Sequence, residues 1–227
     1  GSGDLTSTHQ VDPSGGFSIV KAVGDGGSGD KTISHGLSAT PTCILAKNLD
    51  SAYNWDTFWA QGLTATSYSI RLNTTDNQLS GRWGTVNSSI ITCKENYTWV
   101  GTDNFVYYCF ANTEGYIKSG TYVGNGNDDG TFVYTGHRPA MIILREVAVD
   151  NWLLYDDKRM GFNSSSAGNS NLYPDSNAAE GLEASRAIDI LSNGFKLRTS
   201  NATGNASGGN YIYIAIAHNP FQYATAR

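Results

Sequence analysis

The feature that most constrains this chain is that its second half repeats its first. The run Phe105-Val106-Tyr107-Tyr108-Cys109-Phe110-Ala111 lies over Tyr211-Ile212-Tyr213-Ile214-Ala215-Ile216-Ala217 at an offset of 106 residues. Upstream, the stretch Gly36–Lys47 matches Gly136–Arg145, which is two residues shorter, and Asn54-Trp55 matches Asn151-Trp152. Leu72-Asn73 parallels Leu172-Tyr173. Even the loops echo, Gly24–Asp30 against Gly124–Gly130. Each half is about 100 residues, the size of one β-sandwich. Two copies are too few for a solenoid, which needs three or more.

The repeated material reads as short strands. Runs of four to eight residues, rich in β-branched and aromatic side chains, alternate with turn clusters such as Gly24-Asp25-Gly26-Gly27-Ser28-Gly29. They include Phe17–Val23, Thr42–Lys47, Trp55–Ala60, Ser67–Leu72, Ile90–Lys94 and Phe105–Ala111. The cadence resumes with Gly120–Val123, Thr131–Tyr134, Ala140–Arg145, Trp152–Tyr155, Gly194–Arg198 and Tyr211–Ala217. Only Ala178–Leu191 has helical character, and one short helix is expected there. The expected fold is therefore all-β: two tandem, pseudo-symmetric β-sandwich (jelly-roll-like) halves packed as one unit, Phe17–Thr113 and Tyr116–Tyr223. Residues 1–16 read as a linker or expression scar. The alternative is a single large lectin-like jelly roll.

Composition agrees and removes several function classes. Gly, Ser, Thr and Asn together make about 40% of the chain, against 15% charged residues, which disfavours a helical bundle. An aromatic content of 11% with a net charge of −5 gives a foldable core rather than disorder. No basic cluster is present to neutralise phosphates, so nucleic acid is not an expected partner. No apolar run approaches the length of a spanning helix. The three cysteines, Cys43, Cys93 and Cys109, sit in strand-like runs and read as buried free thiols. Six Asn-x-Ser/Thr sequons are expected from composition alone.

Internal repetition also serves as a filter for function. Residues matched between halves hold up the shared fold; unmatched polar or aromatic residues are freer to act. On this test Trp55 and Trp152 are core. Trp83, next to Arg82 in a Gly-flanked stretch, and Trp99, near Tyr97 and Asp103, have no partners in the other half. A sugar presents a C–H face to an aromatic ring while Arg and Asp bond its hydroxyls. Arg82, Trp83, Tyr97, Trp99 and Asp103 are thus the candidate ligand-binding residues. The plainer reading is that these rings shield sheet edges or form an oligomer interface.

Catalytic patterns are weak. The four histidines share no spacing, and His35 and His137 both fall in the turn before a Pro-led strand, which suits a structural role. No nucleophile elbow, phosphate loop or zincin motif occurs. Retaining glucanases on lectin-like sandwiches carry two Glu on one strand, with carboxyl groups about 5.5 Å apart. The nearest stretch here, Ala187–Ser192, keeps only the central Asp189, and Glu180 and Glu183 fall outside that pattern. A polysaccharide-degrading enzyme with a non-standard carboxylate pair stays the alternative from another class. No cofactor is expected. The one metal candidate is Ca²⁺ at the matched Gly-rich loops, through Asp128 and Asp129 or Asp25 and Asp30, which lack a complete Asp-x-Asp-x-Asp-Gly pattern. Those clusters are also ordinary turn chemistry.

The second half carries a resemblance. Gly120–Gly124 followed by Gly126, Phe132-Val133-Tyr134-Thr135-Gly136, Arg138-Pro139-Ala140, Phe195–Arg198, Asn201–Gly209, Tyr211–Phe221 and Tyr223–Arg227 resemble the C-terminal domain of virion proteins from marine tailed bacteriophages. The similarity spans roughly Phe17–Arg227. That family usually has Glu where His218 stands. The resemblance implies a non-enzymatic module of a virion appendage, a tail fibre or other structural protein located in the virion. Its expected partners are a host-surface glycan or receptor and other virion subunits, with homo-oligomerisation as in fibres. A purely structural decoration or oligomerisation module is the alternative within that setting.

Overall fold

The computed structural model describes residues 3–159, 163 and 169–218. The chain is all-β and divides into two compact units, Gly1–Asn112 and Thr113–Arg227. The expected end of the second repeat at Tyr223, and the Tyr223–Arg227 part of the resemblance, lie outside the described residues.

The first unit contains β1 (Thr6–Val11), β2 (Phe17–Val23), β3 (Lys31–Ser34), β4 (Cys43–Asn48), β5 (Asp56–Trp59), β6 (Trp83–Val86), β7 (Ile90–Cys93) and β8 (Asn104–Phe110). They form a five-stranded sheet, β1-β2-β8-β4-β5, and a three-stranded sheet, β3-β7-β6, with every pairing antiparallel. The second unit contains β9 (Ile117–Val123), β10 (Phe132–Tyr134), β11 (Pro139–Glu146), β12 (Leu153–Asp156), β13 (Asn169–Asn171), β14 (Gly181–Glu183), β15 (Ile188–Leu191), β16 (Gly194–Leu197) and β17 (Asn210–Ala217). Its sheets run β12-β11-β17-β9, β10-β16-β15 and β13-β14. Read from β2 and from β9, the large sheets follow the same order of strands along the chain, and so do the three-stranded ones.

Alternation explains which side of each strand is buried. Along β8 the inner positions Phe105, Tyr107 and Cys109 are fully buried, and the positions between them are half-buried. The first core joins them to Val20, Ala22, Ile33, Ile44, Phe58, Ile91, Trp83 and Trp99. The second joins Tyr211, Tyr213 and Ala215 of β17 to Tyr122, Ile142, Leu144, Tyr155, Phe195 and Leu197. Each large aliphatic or Phe side chain among them stabilises its unit by ~1.5–3 kcal/mol over an exposed one. The echoing loops are built alike as well. Gly24 N–H donates to the Asp103 carbonyl (3.0 Å) and Gly124 N–H to the Gly209 carbonyl (2.9 Å). A Cβ on Gly24 would stand 2.1 Å from the Gly101 oxygen, and one on Gly124 2.2 Å from the Ala206 oxygen. The close backbone approach, rather than turn geometry, requires glycine at both positions.

Several expectations are corrected. Residues 6–11, read as linker, form β1, whose six residues all pair with β2. The helix expected over Ala178–Leu191 is instead β14, a 3₁₀ turn at Ala184–Arg186 and β15, because Ile188 and Ile190 alternate as buried strand positions. A four-residue helix, α1 (Ala202–Asn205), is capped by the Asn201 side chain, which accepts the Thr203 N–H at 2.9 Å. Trp152 is core as expected, but Trp55 is only half-buried. Both backbone N–H groups are held alike, Trp55 by the Asn73 side chain (2.9 Å) and Trp152 by Asp175 (3.3 Å). Cys43, Cys93 and Cys109 are free and buried, and burial pushes the Cys93 thiol up to about 12. No helix among the described residues is long and apolar enough to cross a membrane.

Candidate functional site

Trp83 and Trp99 do not form an exposed platform. Both have no accessible surface and stand in the first core. Trp83 opens β6, donates its indole N–H to the Thr57 carbonyl at 2.9 Å and meets Phe58 edge-on. Trp99 lies in the turn after β7, with the Lys31 ammonium 5.7 Å from its ring centre. A ring buried on both faces has none to offer a sugar, so stacking on these two indoles is withdrawn.

Their neighbours remain at the surface. The Arg82 guanidinium stacks 3.9 Å from the centre of the Tyr97 ring, which is 40% exposed. Asp56, buried nearby, is raised above the usual carboxylate range by burial, while the Ser69 hydroxyl hydrogen bond, Arg82 and Arg71 oppose the shift. Asp103 is occupied in the fold: its carboxylate accepts from the Asn48 amide and the Ser51 hydroxyl, each at 2.8 Å. The structure therefore brings Arg82 and Tyr97 together and gives Asp103 to a loop.

The Gly-rich loops hold their carboxylates against cations of the chain itself. Asp25 pairs with Lys31 (2.9 Å), whose hydrogen bond lowers its pKa, and Asp30 pairs with Lys94. In the second unit Asp129 pairs with Lys196 (2.5 Å) and lies 3.6 Å from Arg198, and Lys196 is the main cause of its lowered pKa. Asp128 accepts the Ser200 N–H at 2.9 Å. An incoming Ca²⁺ would face these ammonium and guanidinium groups, and no described residues form a three-ligand cluster of His, Cys, Asp or Glu. Asp128, Asp129, Ala184 and Arg198 line an open cleft of about 570 Å³. The carboxylates weighed for glucanase chemistry are paired too, Glu180 with Arg159, Glu183 with Arg186 and Asp189 with Arg198.

A different aromatic surface emerges on the outer face of the five-stranded sheet. Phe17 on β2, then Tyr108 and Phe110 on β8, alternate away from the core, with Phe17 opposite Phe110 and Ile19 opposite Tyr108. The Phe17 and Tyr108 rings stack 6.5 Å apart at 7°, and Trp55 stacks on Tyr108 at 6.2 Å and 24°. Phe110 tilts against Phe17 at 4.9 Å. All four rings are half-buried, and Ile19 beside them is 39% exposed. Polar groups flank the row: Asn73 donates its side-chain amide to Asn54 (2.8 Å), and the Lys47 ammonium reaches the Tyr53 carbonyl (2.6 Å). An apolar floor with a few oriented amides and a cation is the composition of a small-molecule or sugar site. The available signal was that Phe105–Ala111 is apolar in both phases, which gives one strand two apolar faces.

No curated protein and no solved structure matches the chain. The model of one family, described as a domain of unknown function (DUF7483), matches residues 1–220 and so spans both units. The chain belongs to the DUF7483 family.

Proposed function

We propose that the chain is two copies of one β-sandwich module serving as a non-enzymatic binding part of a virion appendage, which holds a hydroxyl-rich host-surface glycan on the first unit. The observation that carries the binding reading is the stacked, half-buried row Phe17, Tyr108 and Trp55, beside the hydrogen-bonded Asn54–Asn73 amides. Sugar C–H faces lie on the rings while the amides and Lys47 orient hydroxyls. The non-enzymatic part is supported by carboxylates held in ion pairs, Glu180 with Arg159, Asp129 with Lys196 and Asp189 with Arg198. The virion setting rests on the sequence resemblance alone.

A glycan array read with the parent chain, Trp55→Ala and Tyr108→Ala tests this, with circular dichroism confirming the fold of each. Binding by the parent that both variants lose supports the reading. Equal binding by all three moves the ligand elsewhere, and release of reducing sugar from a bound polysaccharide overturns the non-enzymatic part. A second reading, fibre assembly through the same face, is favoured by the exposed Ile19 next to Phe17 and Phe110. Light scattering decides it: an oligomer that Ile19→Lys dissociates makes the row an interface between copies.

A further inference from the structure

We propose that the side of the second unit bounded by β9 and β10 is a docking site for an extended strand of a partner polypeptide, of the kind that residues 3–11 supply to the first unit. The inference is independent of the glycan reading.

In the first unit one N-terminal segment closes the edges of both sheets. β1 pairs along its whole length with β2. Just before it, Leu5 N–H donates to the Thr32 carbonyl at 3.1 Å. The Asp4 carboxylate accepts both the N–H and the hydroxyl of Thr32, each at 2.9 Å. Leu5 itself is buried in the core. In the second unit β9 and β10 hold the places of β2 and β3 in their sheets, and both are terminal strands. The chain passes from β8 into β9 through residues 111–116, which leaves this unit no N-terminal segment of its own. No strand among the described residues pairs with the outer edge of either β9 or β10.

The matched residues register that difference. Gly36 and Gly136 share a positive φ, +76° and +79°. A Cβ on Gly36 would stand 2.3 Å from His9 and 2.7 Å from Val11, the side chains of β1. A Cβ on Gly136 would meet nothing among the described residues nearer than the Tyr134 hydroxyl, at 3.7 Å.

The open side also displays its side chains. Val123 is 56% exposed, Phe132 44% and Tyr134 63%, the last two on one face of β10. Terminal strands are usually blunted by charge, proline or a covering element; β10 carries no charge or proline, and no strand among the described residues covers its outer edge. The partner segment is therefore extended and lies beside Phe132 and Tyr134 as residues 3–11 lie beside the first unit's sheets. It hydrogen-bonds the sheet edges through its main chain.

The test adds a synthetic peptide of residues Gly3–Val11 in trans to the full chain and follows backbone amide exchange. Protection rising about tenfold or more at residues 117–123 and 132–134 is the expected result. Tyr134→Lys, a change at an exposed position that leaves the parent fold intact by circular dichroism, should abolish it. Three results overturn the proposal. The peptide gives no protection at either strand; protection appears at β2 and β3 instead, as strand exchange in the first unit; or β9 and β10 are already protected in the free chain, so that its own residues fill the side.

Discussion

Trp83 donates its indole N–H to the Thr57 carbonyl at 2.9 Å, whereas the equally buried indole N–H of Trp99 has no acceptor among the described residues. The two tryptophans therefore respond differently to the same substitution. Trp83→Phe leaves the Thr57 carbonyl without its donor and opens space against Phe58, a loss of about 2–3 kcal/mol. Trp99→Phe removes a buried donor that nothing satisfies, which offsets part of the lost packing and holds the cost to about 1 kcal/mol. Urea unfolding of the two variants should separate their midpoints in that order. Equal losses would show that packing alone sets the value of both rings.

Burial lowers the pKa of His35 and His137, so the folded chain holds both rings neutral more firmly than the unfolded chain does. The unfolded chain then binds more protons near its own value of about 6.5. This contribution is fully present above that pH and is lost as pH falls through the lowered folded values. Buried Asp56 is raised, and its contribution has the opposite sign, weakening the fold as pH rises above the usual carboxylate range. The difference between parent and the double variant His35→Gln/His137→Gln isolates the imidazoles. Between pH 7.5 and pH 5.5 the parent's urea midpoint should fall more steeply than the variant's, and parallel slopes would remove the histidines from the acid response.

Strand identity was legible where one face of a strand is buried and the other is not, as along Phe17–Val23 with its alternating exposure. β1 was invisible for the converse reason. Thr6–Val11 has no fully buried residue, so an edge strand held by its main chain leaves no apolar period to read. Trp83 was misplaced because Gly81 and Gly84 suggested a loop. Gly84 in fact lies inside β6, where a Cβ would stand 2.7 Å from Thr92; a tight strand crossing and a turn ask for the same residue. The aromatic row has no distinct signature in the sequence because Tyr108 and Phe110 alternate with Tyr107 and Cys109. A strand apolar on both faces does not say which rings point outward.

The Arg82–Tyr97 stack is the part of the expected site that the fold assembles, and it is open to direct measurement. A guanidinium 3.9 Å from a partly exposed ring gains about 0.5–1 kcal/mol from the ring quadrupole. A double-mutant cycle with Arg82→Ala and Tyr97→Ala should return a coupling energy of that size in denaturant unfolding. A glycan-array signal unchanged in both variants, beside one lost in Tyr108→Ala, would assign the pair to stability alone.

Asn205 ties the Gly124–Gly130 loop to the end of β16. Its side-chain N–H groups donate to the Asn125 side-chain oxygen (2.9 Å) and to the carbonyls of Asn127 (2.9 Å) and Thr199 (2.7 Å). Its side-chain oxygen accepts the Asn125 N–H at 2.9 Å. The residue has no accessible surface, although Asn205-Ala206-Ser207 reads as a glycosylation sequon. Asn205→Ala removes these bonds together and strands the buried Thr199 carbonyl, so it should lower stability by about 2–4 kcal/mol. Asn205→Asp keeps the acceptor but replaces the amide donor with a carboxylate that faces the Thr199 and Asn127 oxygens. Its loss should be at least as large at pH 7 and should shrink as acid restores an O–H donor. Expression in a glycosylating host adds an independent check: the folded chain carries no sugar at position 205, and occupancy there would require the loop to close without this side chain.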